Sequence, residues 1–160
     1  MITKRTEKLW KAALNIIIRP DEFSGGVHYL YKREGTMVLA NAYMAVWIQH
    51  PNPFNLRGME FSEMSEEMYR RVFAEPDRGE GNVLQDENTV KHIEDNVLAV
   101  FSIAGREVLV SNKLLKRIPY DPREDIVRIN NPKKDGPLFF YDVTKVLYGL
   151  VMPFRNMKGR

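Results

Sequence analysis

The chain has 160 residues, 44% hydrophobic and 28% charged, the usage of one folded globular domain rather than of a disordered or fibrous polymer. It has no cysteine, which excludes disulfides, thiolate metal sites and cysteine nucleophiles, and no apolar run of about eighteen residues that would span a bilayer. The net charge of +3 conceals a division, with +4 over residues 1–19, −7 over residues 60–95 and +4 over residues 106–134.

Charge placed in blocks points either to a polyanionic partner met by the two basic stretches or to solvated faces. The N-terminus leads into an amphipathic stretch rather than an apolar signal core, so the expectation is a soluble, cytoplasmic protein.

In chain order, Thr3 is a good N-cap for a helix over about Lys4–Ile16. Leu9, Trp10, Ala13, Leu14 and Ile17 form its apolar stripe, while Lys4, Lys8, Lys11 and Asn15 recur on a solvent face. Arg19-Pro20-Asp21 stops the helix, because proline disfavours helical geometry in the residue before it. Two apolar runs follow, Val27–Lys32 and Met37–Ile48, joined by a turn containing Gly35; the second is nearly all apolar and reads as one central strand ended by His50-Pro51-Asn52-Pro53.

The stretch from about 55 to 96 is the least patterned. Met64, Met68, Val72 and Phe73 suggest a helix within Ser62–Ala74, and the run from Pro76 to Asn82 suggests a mobile polar loop, so the whole reads as an insertion. From Val97 the first pattern returns. Val97–Ile103 and Glu107–Val110 are strands about a turn at Ala104-Gly105, and Ser111 is a candidate N-cap for a second helix with Leu114, Leu115 and Ile118 inside and Lys113, Lys116 and Arg117 outside. Strands at Ile126–Asn130, Pro137–Tyr141 and Val146–Met152 complete the chain.

The closing stretch, with Asp125-Ile126-Val127-Arg128-Ile129, Gly136-Pro137-Leu138-Phe139-Phe140 and Leu150-Val151-Met152-Pro153-Phe154-Arg155, resembles the end of the bacterial sliding clamp, the β subunit of the replicative polymerase, whose chains finish in a Met-Pro-hydrophobic-Arg motif. Val110–Ile118 resembles the second helix of a clamp domain, and Leu9 to Phe23, Gly26-Val27 and Val38–Ala42 fall where such a domain has its first helix and a following strand. Asn41-Ala42-Tyr43-Met44 replaces the polar motif of the family, and Asn156–Arg160 extend past the usual end.

The resemblance implies an α+β, DNA-clamp-like fold over 1–160. Two helices on one face would pack against two antiparallel sheets, with halves at about 1–54 and 97–155 and an inserted helix and loop at about 55–96. It implies a replication processivity factor, of phage or mobile-element type, assembled from several copies. Duplex DNA would meet Lys4, Lys8, Lys11, Lys113, Lys116 and Arg117 without base reading. Replication proteins would offer short linear peptides to a pocket lined by Val151, Met152, Pro153 and Phe154; the residues alone read first as an edge strand covering its own core. An alternative function is a clamp-derived module that intercepts replication proteins without encircling DNA.

Enzyme signatures are missing. His28, His50 and His92 are scattered, no Gly-x-Ser-x-Gly elbow or P-loop occurs, and Gly79-Glu80-Gly81 lacks the third glycine of a dinucleotide loop. Asp121, Glu124 and Asp125, beside Pro122 and Arg123, read as a solvated turn rather than a cation site. The expectation is a non-enzyme without metal or cofactor.

Overall fold

The structure is a computed structural model that describes residues 3–18, 29–33, 35–49 and 62–155. The expected helix stop at Arg19-Pro20-Asp21, the strand end at His50 to Pro53, the motif residues Phe23 and Gly26-Val27, and Asn156–Arg160 lie outside the described residues. The chain divides into two compact units, Met1–Ala74 with Arg117–Pro119, and Glu75–Lys116 with Tyr120–Arg160. The boundary therefore falls within the stretch read as an insertion.

In the first unit, helix α1 (Lys4–Ile18) packs on strands β2 (Thr36–Ala40) and β3 (Met44–Gln49). The all-apolar run expected to be one strand is two. Asn41 breaks it, its Oδ1 accepting from the backbone N–H groups of Tyr43 and Met44 at 2.9 and 3.0 Å, so that a short polar side chain supplies the turn. Strand β1 (Tyr29–Arg33) pairs antiparallel with β2, β2 with β3, and β4 (Ser62–Glu63) adds a two-residue parallel pairing to β1.

Met37–Ala40 and Met44–Ile48 are buried at every position, which explains the absence of alternation: a strand covered on both faces has no solvent side to mark. One face carries Tyr31, Val38 and Trp47, aligned across the three strands by their register. Helix α2 (Glu66–Val72) closes over it, N-capped by Ser65. Tyr69 stacks on Tyr31 with ring centroids 4.1 Å apart and accepts a 2.8 Å hydrogen bond from Trp47 Nε1, while Phe73 meets Trp47 edge-on at 5.6 Å.

The second unit is a six-stranded antiparallel ladder in the order β10 (Leu147–Val151), β9 (Leu138–Tyr141), β8 (Ile126–Ile129), β5 (Val83–Ile93), β6 (Asn96–Ile103), β7 (Arg106–Ser111). It is folded back on itself. Strands β9 and β6 stand three places apart, about 14 Å in a flat sheet, yet the Phe101 and Phe140 rings meet at 6.5 Å. The fold line is β5, whose Val83 and Leu84 pair with β8 and whose remainder pairs with β6 across a register shift between Asp86 and Val90. Phe101, Phe139, Phe140, Leu98, Ile129 and Leu138 fill the space between and are fully buried.

This architecture corrects the expected fold. Two helices on one face against two separate sheets are not present: strands dominate, α1 is the one long helix among the described residues, and the second expected helix shrinks to α3 (Asn112–Leu115). Pro119 explains the shortness, since Ile118 before it is disfavoured in helical geometry, and Ser111, although at the N-cap position, makes no side-chain capping bond. The expected insertion is equally corrected, because its later part is β5 itself, at the middle of the ladder. The loop read as mobile is tied down: Arg128 donates to the Gly79 carbonyl at 2.6 Å and to that of Asp77 at 3.4 Å, and Glu80–Asn82 form a single 3-10 turn.

Tyr69→Phe keeps the stacked ring and removes only the hydroxyl that Trp47 uses, so the unfolding free energy should fall by about 1–2 kcal/mol. Tyr69→Ala also removes the packing and should cost about 3 kcal/mol or more. Urea unfolding followed by tryptophan fluorescence checks both, and equal losses would contradict the packing described.

Candidate nucleic-acid interface

Helix α1 starts as the capping rule requires, Thr3 Oγ1 accepting from the Thr6 N–H at 3.0 Å and the Thr3 carbonyl from the Glu7 N–H at 3.0 Å. Its buried side is Ala12, Ala13 and Ile16, with Leu9 and Trp10 half-buried. Leu14, placed on the apolar stripe by spacing, is instead 43% exposed, and Ile17 lies beyond the described side chains. Small alanines let the helix backbone approach the sheet, so the contact line runs through Ala12 and Ala13 rather than through the larger residues.

Lys4, Lys8 and Lys11 are all exposed. At about 100° per residue they share an arc of roughly 60° on the helix. Lys11 pairs with Glu7 at 3.5 Å one turn earlier, with both side chains largely in solvent, a contact that water and salt screen and that a phosphate can replace. The other expected DNA contacts are arranged differently. Lys113 and Lys116 are exposed on or just after the four-residue α3 in the second unit, and Arg117, half-exposed, belongs to the first. They form no helical face comparable to that of α1.

The expected peptide-pocket residues split by burial. Val151 is fully buried at the end of β10, opposite Leu138, and Pro153 is buried, whereas Met152 and Phe154 are half-buried. The Phe154 N–H donates to the Leu109 carbonyl of β7 at 2.7 Å.

Three phenol–carboxylate pairs sit in the second unit that spacing along the chain could not reveal, since their members are 34, 23 and 66 residues apart. Tyr120 donates to Asp86 Oδ2 at 2.8 Å, beside Asp125, whose Oδ2 accepts from the Asp121 N–H at 3.0 Å and from the Tyr148 hydroxyl at 2.6 Å. Tyr141 donates to Glu75 Oε1 at 3.0 Å under the Arg78 guanidinium, 5.2 Å from its ring centre. The Asp121 and Asp125 carboxylates thus fasten a loop, while Glu124 in the same turn is exposed. Among the described residues no three histidine or acidic side chains are grouped to hold a metal ion, and no helix is long and apolar enough to cross a membrane. His92 is exposed on β5; His28 and His50 lie outside the described residues.

No protein-family model, curated protein or solved structure matches this chain.

Burial, then the bond to Asp86 and the charges of Asp86, Asp125 and Asp121, hold the Tyr120 phenol far above its ordinary value; burial, then the Glu75 charge and hydrogen bond, do the same for Tyr141 against the weaker opposing pull of Arg78 and Arg128. A phenol whose folded pKa is raised contributes stability that is whole below the unfolded value near 10 and is lost as pH rises beyond it, because the unfolded chain then ionises first. Absorbance at about 295 nm should therefore show a late tyrosinate step that coincides with alkaline unfolding. In Tyr120→Phe/Tyr141→Phe that step should shrink by two tyrosines, and an undiminished late step would contradict the assignment.

Proposed function

We propose that the chain is an accessory protein of DNA replication in the cytoplasm that contacts duplex DNA without sequence preference through the exposed face of α1. The observation that carries this reading is the exposure of Lys4, Lys8 and Lys11 on one narrow stripe of a helix whose other side is fixed against a sheet. Amines held in a row on a rigid support can neutralise successive phosphates and release their counterions, contacts that carry no base sequence. The closing Met152-Pro153-Phe154-Arg155 motif, with its resemblance to the end of sliding clamps, supports a replication setting.

Three amines are few. At about −0.9 per phosphate the log–log salt slope of one copy is only about −2 to −3, and such binding is weak at physiological salt. A durable hold on DNA therefore requires several copies acting together, or tethering to a replication protein, since linked weak contacts gain through effective concentration. The DNA contact proposed rests on α1 alone and does not call for a two-helix clamp domain.

The test is retention on duplex DNA, linear and circular, as salt is varied. The unaltered protein should bind duplexes of unrelated sequence equally, and Lys4→Glu/Lys8→Glu/Lys11→Glu should abolish binding while the circular dichroism spectrum is unchanged. Binding that survives the triple reversal, or that depends strongly on sequence, would overturn the proposal.

A further inference from the structure

The segment after β10 makes a contact that its position in the ladder does not provide. Strands β10 and β7 are five places apart in the second unit, about 24 Å in a flat sheet, and three residues span at most about 10 Å. Phe154, three residues beyond Val151, nevertheless donates its N–H to Leu109 of β7. The ladder is folded far enough that its last strand lies beside the exit of its first, and Met152–Arg155 bridges them.

That bridge is slight. Met152–Arg155 has no strand pairing, Pro153 has no N–H to give, and one backbone bond joins it to β7. On β7 the geometry is more generous. Because the Leu109 carbonyl points away from β6, alternation along an antiparallel strand aims the N–H and C=O of Glu107 and the N–H of Ser111 the same way, while the Ser111 carbonyl, at the N-cap, serves the first turn of α3. Val108 and Val110 are fully buried beneath, so the strand is a fixed template. A terminal strand with outward backbone groups is a site for an added strand, and proteins protect such edges by covering them.

We infer that Met152–Arg155 is a latch over the outer edge of β7, and that the edge beneath accepts an extended peptide of the latch's own chemistry, an apolar residue, proline and an aromatic anchor, offered by another protein. The chain's own segment is the evidence for that chemistry: Pro153 is buried and Met152 and Phe154 are half-buried where they lie. The residues expected to line a peptide pocket are thus the occupant, and β7 is the receptor. An incoming strand that fills the places at Glu107 and Ser111 as well gains backbone bonds that the latch does not make. The inference is independent of DNA contact by α1.

Phe154→Pro in the full chain deletes the one latching N–H and leaves β7 untouched. The probe is a synthetic peptide of residues 150–155, Leu-Val-Met-Pro-Phe-Arg, titrated by isothermal calorimetry against both proteins, with a scrambled peptide as control. The Phe154→Pro protein should bind the ordered peptide at least tenfold more tightly than the unaltered protein and should not bind the scrambled one. Equal affinities, including no binding by either, overturn the inference. Hydrogen exchange on the unaltered protein gives a second measure. The Phe154 amide should exchange at least a hundredfold faster than those of Phe139 and Phe140, since a latch opens locally; protection equal to theirs overturns the inference even should Phe154→Pro lose the fold.

Discussion

Burying Phe101 against Phe140 forces everything else in the second unit. The two rings belong to strands separated by two others, so their contact exists only because the ladder turns back on itself, and the turn is made at β5. The register shift between Asp86 and Val90 inserts extra chain into one strand of a pair, which bends and twists it locally. Asn88 takes up a positive φ of 56° there, and Asp86 accepts from its N–H at 2.8 Å. The other oxygen of the same carboxylate takes the Tyr120 hydroxyl, so the residue that shapes the bulge also anchors the aromatic cluster of Phe101, Tyr120, Phe140 and Tyr148.

The folded ladder also decides what the closing motif can be. Val151 is core and the Phe154 N–H bonds to the Leu109 carbonyl, so the motif joins the end of β10 to β7. The first unit solves its burial differently, with α1 on one side of a small sheet and the α2 aromatics on Tyr31 and Trp47. Its charged surface is correspondingly simple: one helix, held by Ala12, Ala13 and Ile16, carries its lysines outward.

Much of the element list was legible. Thr3 as a cap, the strands at 97–103, 107–110, 126–130 and 137–141, and the Ala104-Gly105 turn, where both residues hold positive φ as a two-residue hairpin requires, follow from local rules. Strand β5 was not legible, because of its eleven residues only Leu84 is buried and its polar stretch Gln85 to Thr89 carries no alternation. The split of the second apolar run was hidden for the opposite reason: strands buried on both faces look alike on either side of Asn41, and only the side-chain bonds at that residue mark the turn. The basic face of α1 was visible from spacing, whereas the brevity of α3 turned on Pro119 outweighing an apolar pattern. The Phe154 contact with Leu109 and the tyrosine–carboxylate pairs were invisible, since each depends on how distant strands are brought together.

Contact of duplex DNA with the lysine stripe of α1 is a proposal that can be tested directly. A nitrogen-15 NMR titration with a short duplex of about twenty base pairs at low salt tests it residue by residue. Amide shifts should concentrate at Lys4 to Lys11, reverse with added salt and be the same for duplexes of different sequence, with Phe101, Phe139 and Phe140 unmoved. Shifts centred on the β5–β6 hairpin or on β7, with α1 unaffected, would contradict it.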